Sequence, residues 1–310
     1  MNTPSNVMPE SPQKSQIIAP AVIPATRRMY WSVRRELWES RSIYIAPLAV
    51  AAVILFGFLI STIGLPHKMR ALSALDPEHQ RQAIIMPYDF AAGLIMVTTL
   101  IVGVFYSLDA LYGERRDRSI LFWKSLPVSD LTTVLTKASI PIVVLPLLTV
   151  AFIVSTQLIM LLLSAAVLLG SGLSVATLWT QLSFFQMSLM LFYHLLTVHA
   201  LWYAPIYGWL LLVSAWARRA AFLWAALPWA AISIVEKIAF HTSHFAAFLG
   251  YRFSGDAAGG SFMGDSASMD PLMHLTPEKF LTTPGLWIGL AFFAVSLAAT
   301  VRLRRYQGPI

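Results

Sequence analysis

The chain has 310 residues, 57% of them hydrophobic and only 12% Asp, Glu, Lys or Arg, a charged share about half the ~25% usual in soluble domains. One soluble core cannot hide that much apolar surface, because cores stop growing and long chains divide into domains. The absence of cysteine excludes disulfide frameworks, thiolate nucleophiles, iron–sulfur ligation and Cys-type zinc sites. The net charge of +7 matters in such a chain through where it sits, because Lys and Arg set membrane topology.

The expected fold is an all-α membrane protein. Six transmembrane helices follow an amphipathic interfacial helix, and both termini are cytoplasmic. Residues 1–26 are rich in Pro, Ser, Asn and Gln and contain no apolar run of signal-peptide type. They read as a disordered cytoplasmic tail. Thr26 is placed to cap a helix over 27–41. Along it, Met29, Val33 and Leu37 recur at i, i+4 and i+8, flanked by Tyr30 and Trp38, while Arg27, Arg34 and Arg41 share another face. That pattern suits a helix lying in the inner interface of the bilayer.

Residues 27–310 form the membrane domain. A span needs about 20 apolar residues, and the first lies near 43–64, the second near 89–112. Residues 138–217 then contain no Asp, Glu, Lys or Arg. As one helix they would reach ~120 Å, against a ~30 Å hydrocarbon core. The stretch therefore folds back, with Gly170-Ser171-Gly172 as the turn. This places the third and fourth spans near 138–169 and 183–216, with breaks expected at Pro146, Pro205 or Gly208. The fifth and sixth spans lie near 220–240 and 285–301, joined by an external loop over 241–284. With the N-terminus inside, the inner segments hold fifteen Lys and Arg and the outer ones six, Lys14 lying in the tail. That imbalance favours cytoplasmic termini and removes any reason to invoke nucleic acid.

The loop after the second span reads Tyr112-Gly113-Glu114-Arg115-Arg116-Asp117-Arg118-Ser119-Ile120-Leu121-Phe122-Trp123-Lys124-Ser125-Leu126-Pro127-Val128-Ser129. A mixed-charge cluster is followed by an apolar patch, a Leu-Pro stop, and a serine placed to cap the next helix. Apolar residues framed by charge on a short helix make a docking site. Topology alone would need neither the acids nor the patch.

This string resembles the loop after the second span in type-2 permeases of ATP-binding cassette transporters. Glu114, Arg115 and Asp117 match the family's acid–base–acid cluster. Ile120, Leu121 and Phe122 match its apolar part, and Leu126-Pro127-Val128-Ser129 its end. The family's Gly-Thr is Arg118-Ser119 here, a departure. The layout of helices extends the resemblance over about 27–310. It implies a permease subunit of an export system in a bacterial-type inner membrane, paired with a second copy or a sister permease. A separate ATPase subunit would carry ATP and Mg, with no cofactor on this chain, and its closure would push on the loop and drive substrate outward. Glu114, Arg115, Arg116, Asp117, Arg118, Ile120, Leu121, Phe122, Trp123, Leu126 and Pro127 would then form the coupling surface. The charged residues would orient the ATPase, and the patch with Trp123 would supply buried contact. No Gly-x-x-x-x-Gly-Lys-Ser/Thr motif occurs, so the chain is not expected to be an enzyme itself.

Other polar groups offer less. His199, Tyr203 and Tyr207 form one stripe in the fourth span, with His194 one turn earlier. They suit a substrate path, a permease–permease interface, or hydrogen bonds between helices. Asp109 is expected to pair with Arg115 or Arg116. His241, His244 and His274 with Asp256, Asp265 and Asp270 could in principle hold a metal, but no His-Glu-x-x-His is present and none is expected. Thr276-Pro277-Glu278 would start a short external helix. An ion-coupled secondary transporter is the alternative, though no internal repeat supports it. An intramembrane enzyme using His and Asp would need clustered catalytic residues, and none are evident.

Overall fold

A computed structural model describes residues 24–72, 76–125, 128–176, 179, 184–254, 281–308 and 310. Residues 1–23 of the expected tail, Leu126 and Pro127, and most of the external loop, including His274, its three aspartates and Thr276–Glu278, lie outside the described residues, as does the side chain of His199; residues 25 and 26 of that tail are helical. All regular structure among the described residues is helical. Six segments are long and apolar enough to cross a membrane: Ser42–Leu72, Pro77–Arg116, Asp130–Gly170, Phe184–Trp216, Ala221–Phe240 and Pro284–Tyr306. The chain is a multi-pass membrane protein.

The helices are α1 (Ala25–Glu39), α2 (Ser42–Ser61), α3 (Leu65–Leu72), α4 (Pro77–Asp109), α5 (Tyr112–Arg116), α6 (Ile120–Ser125), α7 (Asp130–Ser139), α8 (Leu145–Gly170), α9 (Phe184–His194), α10 (Ala200–Trp216), α11 (Ala221–Phe240), α12 (His244–Ser254) and α13 (Pro284–Tyr306). Ser129 caps α7 by accepting from the Thr132 N–H at 3.1 Å, which satisfies one of the donors a helix start leaves open. Thr26 caps nothing: α1 begins one residue earlier, behind Pro24. The turn at Gly170 forms, with Gly172 at φ +69°.

The long third and fourth spans do not snap at their prolines. Each instead contains a π-helical turn, at Ile140–Val144 and Leu195–His199. A proline has no N–H for the carbonyl four residues back and its ring crowds that carbonyl; in the third span that residue for Pro146 is Ile142, inside the π turn, and the change of hydrogen-bond register lets the helix continue.

The second and fourth spans are the central ones, each about three-fifths buried, whereas only 11% of the fifth is. The main core joins Trp202, Tyr203, Tyr207 and Val213 of α10 to Leu108 of α4 and Leu286 of α13. Gly208 makes this packing close. A Cβ there would stand 2.6 Å from the Phe293 ring and 3.3 Å from its Cα. Small residues permit such backbone approach between membrane helices. Outward faces carry Val53, Phe56, Ile234 and Ile238, the composition expected of surface against hydrocarbon.

In helix α1 the stripe expected to meet the bilayer interface, Met29–Val33–Leu37, is covered by protein: Thr136 of α7 donates to Met29 Sδ, and Val33 and Leu37 pack against the cluster around Ile43 and Leu211. What stays exposed is a separate face of Tyr30, Trp31 and Trp38, with the Arg34 guanidinium 5.2 and 5.0 Å from the two indole centroids. The competing surface was α7, amphipathic itself and adjacent.

Candidate functional site

The loop after the second span is two short helices, α5 and α6, and each of its ends is anchored. Where α4 stops, the backbone N–H groups of Leu111 and Tyr112 both donate to Ser214 Oγ of α10, at 3.0 and 2.9 Å. Arg115 Nη1 donates to the carbonyls of Ala215 and Ala217, at 2.5 and 3.1 Å, so the arginine closes the C-terminal end of α10, where carbonyls lack partners. The Arg115 carbonyl accepts from the Ile310 N–H, and Lys124 Nζ donates to the Gln307 carbonyl.

Behind the loop lies a buried charge cluster. Lys137 of α7 donates to both oxygens of Glu36 in α1, at 3.0 and 3.1 Å, and stands 3.1 Å from Glu114 Oε1 of α5. The other Glu114 oxygen accepts from Arg304 Nη1 of α13 at 2.5 Å. Arg304 Nε is 3.2 Å from Asp130 Oδ1, a charge contact without hydrogen-bond direction. Tyr106 donates to Glu36 Oε2 at 3.0 Å, and Arg35 to Oε1 at 2.7 Å. Glu36, Glu114, Lys137 and Arg304 are each at most 8% exposed. Two acids and two bases balance, which is what makes ionised groups tolerable at such burial. Burial alone would push the Glu36 carboxyl up; Lys137 and then Arg35 outweigh it and hold it below the usual carboxylate range.

This revises the expected roles within the loop. Glu114 and Arg115 are internal, Glu114 hydrogen-bonded to Arg304 and ion-paired with Lys137, Arg115 bonded to two carbonyls, so neither presents its charge at the surface. Trp123 is half-buried with Arg35 stacked 3.8 Å above its ring, and Ile120 is buried. The groups left at the surface are Arg116, Asp117 and Arg118, then Leu121 and Phe122, each about 60% exposed. Asp109 makes no ion pair within 4 Å with either arginine: its carboxylate lies over Gly113 and acts on Arg116 at longer range, while Arg116 pairs directly with Asp117.

In the sequence, Lys137 and Arg304 carry information only about topology, and Glu36 stands outside every motif. One signal was present. Glu36 falls three residues after Val33 and seven after Met29, an acid on the apolar stripe of α1, and such a residue needs a buried cation.

The tyrosines of α10 are internal as well. Tyr203 donates to the Phe253 carbonyl at 3.0 Å, and Tyr207 Oη lies 3.0 Å from where a Cβ on Gly103 would be. His194 is buried at the end of α9. For Tyr203, hydrogen bonding between helices of one chain replaces an interface between two. The His244 N–H donates to Glu236, and among the described residues no three His, Asp or Glu gather as metal ligands would.

All the charged partners belong to one end of the bundle, which therefore holds α1, the loop, the start of α7 and the end of α13. Both ends of the described chain lie on one side. No protein-family model matches the sequence, and neither a curated protein nor a solved structure matches it.

Proposed function

We propose that this chain is the permease subunit of an ATP-binding cassette transporter, moving its substrate outward with ATP hydrolysed by a separate subunit. The observation that carries the reading is the exposed pair Leu121 and Phe122 on α6, which follows directly on α5, the short helix that Glu114 and Arg115 clamp to α1, α7, α10 and α13. An exposed apolar patch framed by charge is a docking surface. One fixed to several spans can transmit a push to all of them, which a mobile loop cannot.

The departure from the family string also supports this reading. Arg118 stands where the family has glycine, and its φ is +59°, the left-handed region that glycine occupies at little cost. Arg118 thus holds a conformation that glycine adopts more readily. In this proposal the charge-cluster end is cytoplasmic and the membrane is a bacterial-type inner membrane. The Tyr30, Trp31 and Trp38 face of α1 sits at its interface, where indoles are favoured. The weakly buried fifth span faces lipid or a second permease.

The test is co-expression with a phosphate-loop ATPase encoded beside this chain, purified through a tag on the permease. Stoichiometric co-elution with ATP hydrolysis is expected, and Leu121→Asp with Phe122→Asp should abolish both while the permease stays monodisperse. A permease eluting alone, with folded ATPase in the flow-through, would direct attention to an ion-coupled transporter.

A further inference from the structure

At the end of the bundle opposite the charge cluster, a second group is buried, and among the described residues it has no counter-charge. Arg252 of α12 is 6% exposed. Its Nη1 donates to the Gly285 carbonyl at 3.1 Å, and its guanidinium lies 4.4 Å from the Trp202 ring centroid. Nη2 has no hydrogen-bond partner, and no carboxylate among the described residues lies within ion-pair distance. Gly289 is what lets the side chain lie there, because a Cβ at that position would collide with Nη2. A buried cation left with a carbonyl and a π face is expensive, and a ligand anion would offset that cost.

The space beside it has the complementary character. Arg252 lines a cavity of about 540 Å³ between α4, α10, α11, α12 and α13. All its other lining side chains are apolar or indole, among them Ile206, Trp209, Phe222, Trp229 and Phe292. Phe222 and Trp229 are two turns apart, so the cavity runs about 10 Å along α11. The exposed Ala226 lies between them. Ligand sites are typically apolar cavities of about 300–1,000 Å³ with few polar groups fixing orientation.

We infer that this cavity holds the acyl chain of an anionic amphiphile whose phosphate or carboxylate sits on Arg252. The charge selects the headgroup, because a choline lipid would bring its own cation toward the guanidinium. The bidentate guanidinium fork suits either oxyanion. The chain enters from the weakly buried side formed by α11 and α13. Bilayer phospholipid and free fatty acid share this chemistry. The site belongs to one chain and needs no ATPase, so it stands or falls separately from the transporter reading.

The experiment is native mass spectrometry of the purified full chain in mild detergent, titrated in separate arms with dioleoyl phosphatidylglycerol, dioleoyl phosphatidylcholine and oleate. One equivalent of an anionic amphiphile should be retained at least tenfold more tightly than the choline lipid. Saturation by phosphatidylglycerol alone would name the bilayer as source, and by oleate alone a free acid. Arg252→Gln should remove the preference and Arg252→Lys keep much of it. Ala226→Phe should block uptake by filling the cavity while leaving every charge in place, so the proposal stays testable even if Arg252→Gln does not fold. Equal retention of choline and anionic lipid, or unaltered binding by Ala226→Phe, would overturn it.

Discussion

Arg304, in the last turn of the sixth span, donates to Glu114, 190 positions earlier, at 2.5 Å, and this bond ties the end of the chain to the loop after the second span. Lys137 approaches the same carboxylate from the third span at 3.1 Å and carries Glu36 of the first helix with it. Four elements far apart in sequence are thus fastened through one small group of charges.

Removing one member of the group should cost more than removing a compensating pair. Glu114→Gln leaves Lys137 and Arg304 with one fewer anion, and breaking such a buried pair costs about 3–5 kcal/mol. Glu114→Gln combined with Arg304→Gln restores the balance. The double variant should be more stable than the sum of the single losses predicts, by at least about 1 kcal/mol. Chemical unfolding of all three variants in detergent reads this directly, and strict additivity would refute the coupling.

Acid should loosen α1 through Glu36. Its carboxyl titrates below the ordinary 4.5 in the folded chain, burial being outweighed by Lys137 and Arg35. A depressed carboxylate contributes stability that is fully present above the unfolded value and is lost as pH falls through the folded one. Unfolding midpoints should therefore drop as pH falls below about 4.5, and Glu36→Gln should flatten that fall. Glu39 has the opposite sign, since burial raises its carboxyl. Glu39→Gln should thus leave the acid loss in place and slightly stabilise the chain at neutral pH.

Glycines in the spans should separate by what surrounds them. Gly208→Ala forces a methyl into Phe293, and overpacking of this kind costs about 1–3 kcal/mol. Gly57 has nothing within 4 Å of its would-be Cβ, so Gly57→Ala should change stability by no more than about 1 kcal/mol, on the stabilising side. Thermal midpoints of the two variants side by side decide it.

Arg118 offers a backbone test of the loop. A left-handed residue with a side chain is strained by about 1–2 kcal/mol, and glycine escapes this at about 0.5–1 kcal/mol of chain entropy. Arg118→Gly should be neutral to slightly stabilising. Arg118→Val should be clearly destabilising, because a β-branched residue tolerates positive φ poorly. Reversal of that order would show that the left-handed backbone at residue 118 does not govern the stability of the turn.

Six spans, the fold-back at Gly170 and the Ser129 cap follow from sequence because each is a local matter. Twenty uncharged apolar residues have few alternatives to a membrane helix, glycine frees the backbone where chirality restricts others, and a serine reaches a backbone N–H three residues on. Tertiary structure alone decided which charges meet. Glu114 and Arg115 read as surface groups because the residues around them are charged, yet they are interior because three other elements deliver Lys137, Arg304 and the end of α10 to that spot. Likewise the apolar stripe of α1 carries no mark of whether lipid or α7 will cover it, and Arg252 looks like any loop cation until α13 closes over it through Gly289. Periodicity describes one helix at a time, whereas burial depends on which faces several helices bring together.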